Sequence, residues 1–237
     1  MQKIKPEISN EVTNNGHILT LSGSVRKKAW YDDENTEFIN MDTVTDSLKD
    51  VTGDVTIRLN SGGGDVFEGI EIYNYLKQLD NKITIEVTAL AASAASIIAM
   101  AGDEIKMCTG ATMMVHEAST IAWGTKADIQ KVLNSLETID ESLVSIYAER
   151  TGADAETVKG WVEEETWFTA DEAIEAGLAD GKREKETTNV VELDVEAITE
   201  PVAANLEQRF TAYFKSKENT AEHKATGLNK LFNKKGE

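Results

Sequence analysis

The sequence predicts an α/β fold with a largely parallel sheet. Three observations carry this: two successive strand–turn–helix units, a further apolar run ending on a polar pair, and a long helix with an apolar seam. The run His17 to Ser22 (HILTLS) reads as a strand, as does Asp54 to Asn60, where Val55, Ile57 and Leu59 alternate with Thr56 and Arg58. Gly62, Gly63 and Gly64 follow, and Val66, Ile70, Tyr73 and Leu76 then recur at helical spacing across 65–79. In the second unit, the β-branched run Ile83 to Thr88 leads into ALAASAASIIAMAG. Its alanines favour helix and its small side chains permit close backbone packing. Ala111 to His116 has the pattern of a buried strand that ends at a cleft, on the pair His116-Glu117.

From Lys126 to Arg150 the residues Ile129, Val132, Leu136, Ile139, Leu143 and Ile146 step by 3, 4, 3, 4 and 3. That is the seam of a helix packed on another helix, so burial against a long partner is expected. Thr169 and Glu172 form a capping-box pair opening a short helix that Gly177 closes, and Leu178-Ala179 are expected to begin a last strand. A compact domain is expected over 1–186. Residues 187–237 form a charged, partly helical appendage whose last stretch, Lys215 to Glu237, carries six lysines against three glutamates and reads as a solvated tail.

The composition narrows the function. At 237 residues and 41% hydrophobic content the chain can bury one substantial core. A formal charge of -18 repels phosphate backbones and anionic lipid, which argues against nucleic-acid and membrane partners. A single cysteine, Cys108, allows no intramolecular disulfide, and MQKIKPEISNEV has no secretory core, so a cytoplasmic location is expected.

Of the three histidines only His116 falls inside the core pattern. A lone core histidine can also simply hydrogen-bond a neighbour. Ser93 stands between a strand and an alanine-rich helix, where unpaired N–H groups and the helix dipole favour negative charge, yet a serine there also serves as a plain cap. The glycine turn can present an N–H to a developing oxyanion. GGGDVFEG satisfies neither the P-loop nor the dinucleotide fingerprint, and by itself it is a turn.

Taken together, five segments resemble, in order, the Clp protease proteolytic subunit family. NSGGGDVFEGIEIYNYL resembles its NSPGG turn and following helix, and ALAASAASIIAMAG its G-Q-A-A-S-M-G-A nucleophile segment. MMVH with Glu117-Ala118 is similar to its M-I-H-Q-P segment, and Trp123 to Ile129 to the turn opening its long handle helix. EETWFTADEAIEAGLAD resembles its closing D-R-F-L-S-A-x-E-A-x-x-x-G-L-V-D segment. The likeness runs from about Gly23 to Asp180 and leaves the tail uncovered. It implies a spiral of β-α units, shared with the crotonases, with a long handle helix. It also implies that Ser93 is the nucleophile, His116 the general base, and the backbone N–H groups of Gly64 and Ala94 the oxyanion donors, with Ser96 a packing serine. The family's acid is an aspartate; Glu165 stands in its place, with Glu163 and Glu164 adjacent. A second departure is Gly62, where the family has proline.

The implied reaction is peptide hydrolysis through an acyl-enzyme, requiring no metal or organic cofactor. The resemblance further implies a ring-forming homo-oligomer built through the long helix, and leaves open whether an unfoldase ATPase docks on the rings. The E-T-W-F-T-A ending resembles the phage and prophage branch, which matures viral heads by cutting scaffold or capsid proteins. Rival readings are an acyl-CoA enzyme of crotonase type, a serine–lysine peptidase similar to the signal peptide peptidases, and a non-catalytic scaffold subunit.

Overall fold

The computed structural model describes residues 4–13 and 16–184. The appendage expected over 187–237 lies outside the described residues.

An eight-stranded sheet is the framework. β1 (Glu7–Thr13) runs antiparallel to β2 (Gly16–Ser22), and β2, β3 (Val55–Ser61), β4 (Ile83–Ala92), β5 (Glu104–Met107) and β8 (Gly181–Lys182) lie side by side in parallel. The alternation read in β3 is real: Val55, Ile57, Leu59 and Ser61 are buried and the residues between them are not. Val55, Ile57 and Leu59 join Leu19, Leu21, Ile85 and Val87 in the core.

β4 is longer than its β-branched run. Thr84 to Val87 pairs with β5, whereas Leu90 to Ala92 pairs with β6 (Thr112–Val115), which in turn takes β7 (Thr166–Thr169) antiparallel. The alanines expected to be helical from Ala89 onward are therefore strand as far as Ala92, because ladder pairing on both sides overrides a weak local preference. Only Ala94–Ala99 forms the helix α3, and all six of its residues are buried, which explains why none is large and polar.

The other helices follow from their caps. Asn40 and Thr43 form a capping box for α1 (Met41–Leu48), and the Asp65 carboxylate accepts the N–H groups of Phe67 and Glu68 to open α2 (Val66–Lys77). Thr125 and Asp128 box the start of α4 (Lys126–Thr151), which ends on Gly152 at φ 69°. Asp154 caps α5 (Ala155–Glu163), and the expected Thr169–Glu172 box opens α6 (Ala170–Glu175). The last strand begins at Gly181 instead of Leu178. The N–H groups of Leu178 and Ala179 both turn back to the Ala173 carbonyl to finish α6. No helix among the described residues is long and apolar enough to cross a membrane.

Candidate active site

The site lies at the carboxyl ends of β3, β4 and β6, where loops leave a parallel sheet and backbone groups are free to face a ligand. β4 delivers Ser93. Its N–H is held by the Met114 carbonyl at 2.9 Å, and its backbone sits at φ 56°, ψ -128°, a region that only a tightly determined surrounding keeps a serine in. The sharp turn lifts the side chain out of the strand just before α3 begins. His116 arrives from the other side, one residue past β6, and its Nε2 lies 2.7 Å from Ser93 Oγ. With the ring proton on Nδ1, Nε2 is the acceptor that a serine proton needs.

The glycine turn after β3 is fixed by its own backbone. The N–H of Gly63 donates to Ser61 Oγ at 3.0 Å, its carbonyl accepts from Val25 N–H at 3.0 Å, and Asp65 N–H donates to the Val25 carbonyl at 2.7 Å. Among the described residues the N–H of Gly64 donates to no protein acceptor. The N–H of Ala94, first residue of α3, has no intrahelical partner either. A side chain at Gly63 would come within 2.5 Å of the Ala92 carbonyl and 2.8 Å of Ala94 N, so the two loops touch only because Gly63 lacks one. Gly62 has open space around its Cβ position, so the turn does not depend on what occupies it.

These groups line a cavity of about 700 Å³. Its floor is apolar: Ile97 and Met114, and from α4 Val132, Leu136, Ile139, Leu143 and Tyr147. The apolar seam read in α4 is thus largely a cavity wall, whereas Ile129 and Leu133 toward the helix start are 40% and 48% exposed.

Glu165 is placed differently from the other site residues. It sits just before β7 at φ 49°, one position before the Thr166 that pairs with Val115. Its carboxylate accepts from Trp167 Nε1 at 3.4 Å, and among the described residues the only side-chain hydrogen bond of His116 is to Ser93. Of the neighbouring acids, Glu163 pairs with Lys159 at 3.6 Å. The structure therefore brings Ser93, His116, Gly64 and Ala94 together and leaves Glu165 turned to one side.

Ser96 does more than fill space. Its Oγ donates to the Ser93 carbonyl at 2.7 Å and lies 2.8 Å from the Tyr147 hydroxyl. Tyr147 was not singled out by the sequence. It falls one residue off the 3–4 seam, and its mixed character gave no sign that it meets Ser96.

The sequence matches the Clp protease family over residues 17–185, more than half of the chain. It is 32% identical over 136 residues to the ATP-dependent Clp protease proteolytic subunit 3 of Streptomyces coelicolor, covering 56% of this chain and 63% of the relative. It is 31% identical over 151 residues to the ATP-dependent Clp protease proteolytic subunit 3 of Rhodococcus jostii, with 63% and 75% covered. Against subunit 1 of Leifsonia xyli it is 27% identical over 183 residues, covering 76% and 89%. The aligned region is thus a little under two thirds of the length of the first of these relatives. With this match spanning the sheet from β2 onward, the chain belongs to the Clp protease family.

Proposed function

We propose that this chain is a serine endopeptidase in which Ser93 attacks the peptide carbonyl and His116 accepts its proton. The observation that carries the reading is the 2.7 Å approach of His116 Nε2 to Ser93 Oγ beside two uncommitted backbone N–H groups. As Oγ bonds to the carbonyl carbon, its proton passes to Nε2 and the carbonyl oxygen becomes an oxyanion between the N–H groups of Gly64 and Ala94. The imidazolium then protonates the leaving amine. Water, deprotonated by the same nitrogen, releases the acyl group and restores Ser93. Glu165 is the acid that steadies the imidazolium after its carboxylate turns from Trp167.

The apolar cavity wall takes an apolar substrate side chain next to the scissile bond. Ile129 and Leu133, left half-exposed on α4, support self-association into rings through this helix. The E-T-W-F-T-A ending supports scaffold and capsid proteins of a phage or prophage head as the substrates. The reading is tested by incubating the assembled protein with a fluorogenic peptide carrying leucine before the reporter amide. Wild type is expected to release the reporter and Ser93→Ala is not; equal release from both would place the activity elsewhere.

A further inference from the structure

Ser93 is held from behind as well as from the front. Its carbonyl oxygen accepts three hydrogen bonds: from Ser96 N–H at 2.9 Å, Ile97 N–H at 3.3 Å and Ser96 Oγ at 2.7 Å. The Ser96 hydroxyl has one proton and spends it on that carbonyl. Its contact with the Tyr147 hydroxyl, 2.8 Å away, therefore runs with Tyr147 as donor. Both residues are buried, Ser96 completely and Tyr147 to within 1%. Burial also pushes the Tyr147 phenol well above its ordinary range, so it keeps its proton wherever a peptidase would work.

The carbonyl of Ser93 and the N–H of Ala94 are two ends of one peptide group. The group is planar and trans, so fixing the oxygen fixes the direction of the N–H on its other side. Hydrogen bonds accepted by the oxygen also polarise the amide and make its N–H a stronger donor. We infer that Tyr147 and Ser96 are positioning residues: a relay from Tyr147 Oη through Ser96 Oγ to the Ser93 carbonyl aims the Ala94 N–H at the oxyanion. This rests on the peptidase reading above, in which Ala94 is an oxyanion donor. The relay also explains a tyrosine at that position of α4. A phenylalanine would fill the same space but would leave the Ser96 oxygen without a donor.

The test compares wild type, Tyr147→Phe, Ser96→Ala and the double variant on one peptide substrate, with kcat expressed per Ser93 titrated by a fluorophosphonate. Losing an oxyanion donor outright costs about 10²–10³-fold in kcat, and misaiming one costs part of that. Tyr147→Phe is expected to lower kcat roughly 5–20-fold with KM within about twofold and the pH profile unmoved, since the base is untouched. Ser96→Ala is expected to lose more. The double variant should fall no further than Ser96→Ala alone, because the residues act as one unit. A Tyr147→Phe enzyme with wild-type kcat per titrated serine, or with the loss confined to KM, overturns the relay while leaving the peptidase reading standing. Ser96→Ala supplies the same readout should Tyr147→Phe fold poorly. A wild type that neither titrates nor cleaves overturns both.

Discussion

Glu165 and His116 each stand one step beyond Val115 and Thr166, the last paired residues of the β6–β7 ladder, yet the Glu165 carboxylate accepts from the Trp167 indole and not from the imidazole. At 3.4 Å that contact is at the long end of hydrogen bonding, and Trp167 is 44% exposed, so releasing it costs little. The proposed acid role requires this carboxylate to leave the indole for the imidazole. Glu165→Gln keeps the size and removes the charge. It is expected to lower kcat by at least about 10²-fold with KM little changed, in the direction of the roughly 10⁴-fold loss that follows amidation of a triad acid. Trp167→Phe frees the carboxylate and is expected to hold or raise kcat. Steady-state kinetics on one peptide decide both, and a Glu165→Gln enzyme with wild-type kcat removes the acid role from this residue.

Gly64 tests the backbone of the site. A Cβ there would stand 2.2 Å from the Val25 carbonyl oxygen, on a residue at φ 148°. Gly64→Ala is expected to destabilise the fold by about 2 kcal/mol or more, read as a lower urea midpoint at unchanged slope. Gly62→Ala, with open space at its Cβ, is expected to change stability by less than about 0.5 kcal/mol.

The apolar lining of the cavity predicts a substrate preference. Burying one aliphatic side chain gains about 1.5–3 kcal/mol, so peptides with leucine or methionine before the scissile bond should exceed those with aspartate by roughly 10–100-fold in kcat/KM. Leu136→Asp should abolish most of that difference without reducing labelling of Ser93. A side-by-side series of such peptides measures it, and a preference for charged residues in wild type would contradict the assigned pocket.

Much of this was legible in the sequence, and the misses have particular causes. β3 announced itself through alternation and α2 through the helical spacing of Val66, Ile70, Tyr73 and Leu76. Ser93, His116 and the glycine turn stood out at the ends of elements, but their roles came from the ordered resemblance to the Clp protease family. β1 went unread because Glu7 to Thr13 is mostly exposed and polar. α5 and β7 are short, and β7 is stabilised by pairing with residues 51 to 57 positions away. The sequence spacing of Ser96 and Tyr147, 51 residues, left nothing local to reveal that they meet.

The loop before α1 carries a pH-dependent clamp. Arg26 pairs with Asp32 at 2.7 Å and stacks over Phe38 at 3.7 Å, presenting the exposed Trp30 and Tyr31. The Arg26 guanidinium, helped by the Ala29 N–H, lowers the Asp32 carboxyl from 3.8 to about 2. A depressed folded value means the clamp stabilises fully above the ordinary carboxylate range and fades as pH falls from 3.8 toward about 2. The melting temperature of wild type should therefore exceed that of Asp32→Asn at neutral pH, with the gap closing over that acid window. A gap independent of pH would assign the effect to the hydrogen bonds alone.

The central claim is that His116 activates Ser93, and intact-mass measurement after fluorophosphonate treatment tests it most directly. Wild type is expected to gain one adduct, mapped to Ser93, which Ser93→Ala abolishes and His116→Ala slows by roughly 10²-fold or more. A wild type that takes up no adduct in its assembled form, or a His116→Ala variant labelled at the wild-type rate, would contradict it.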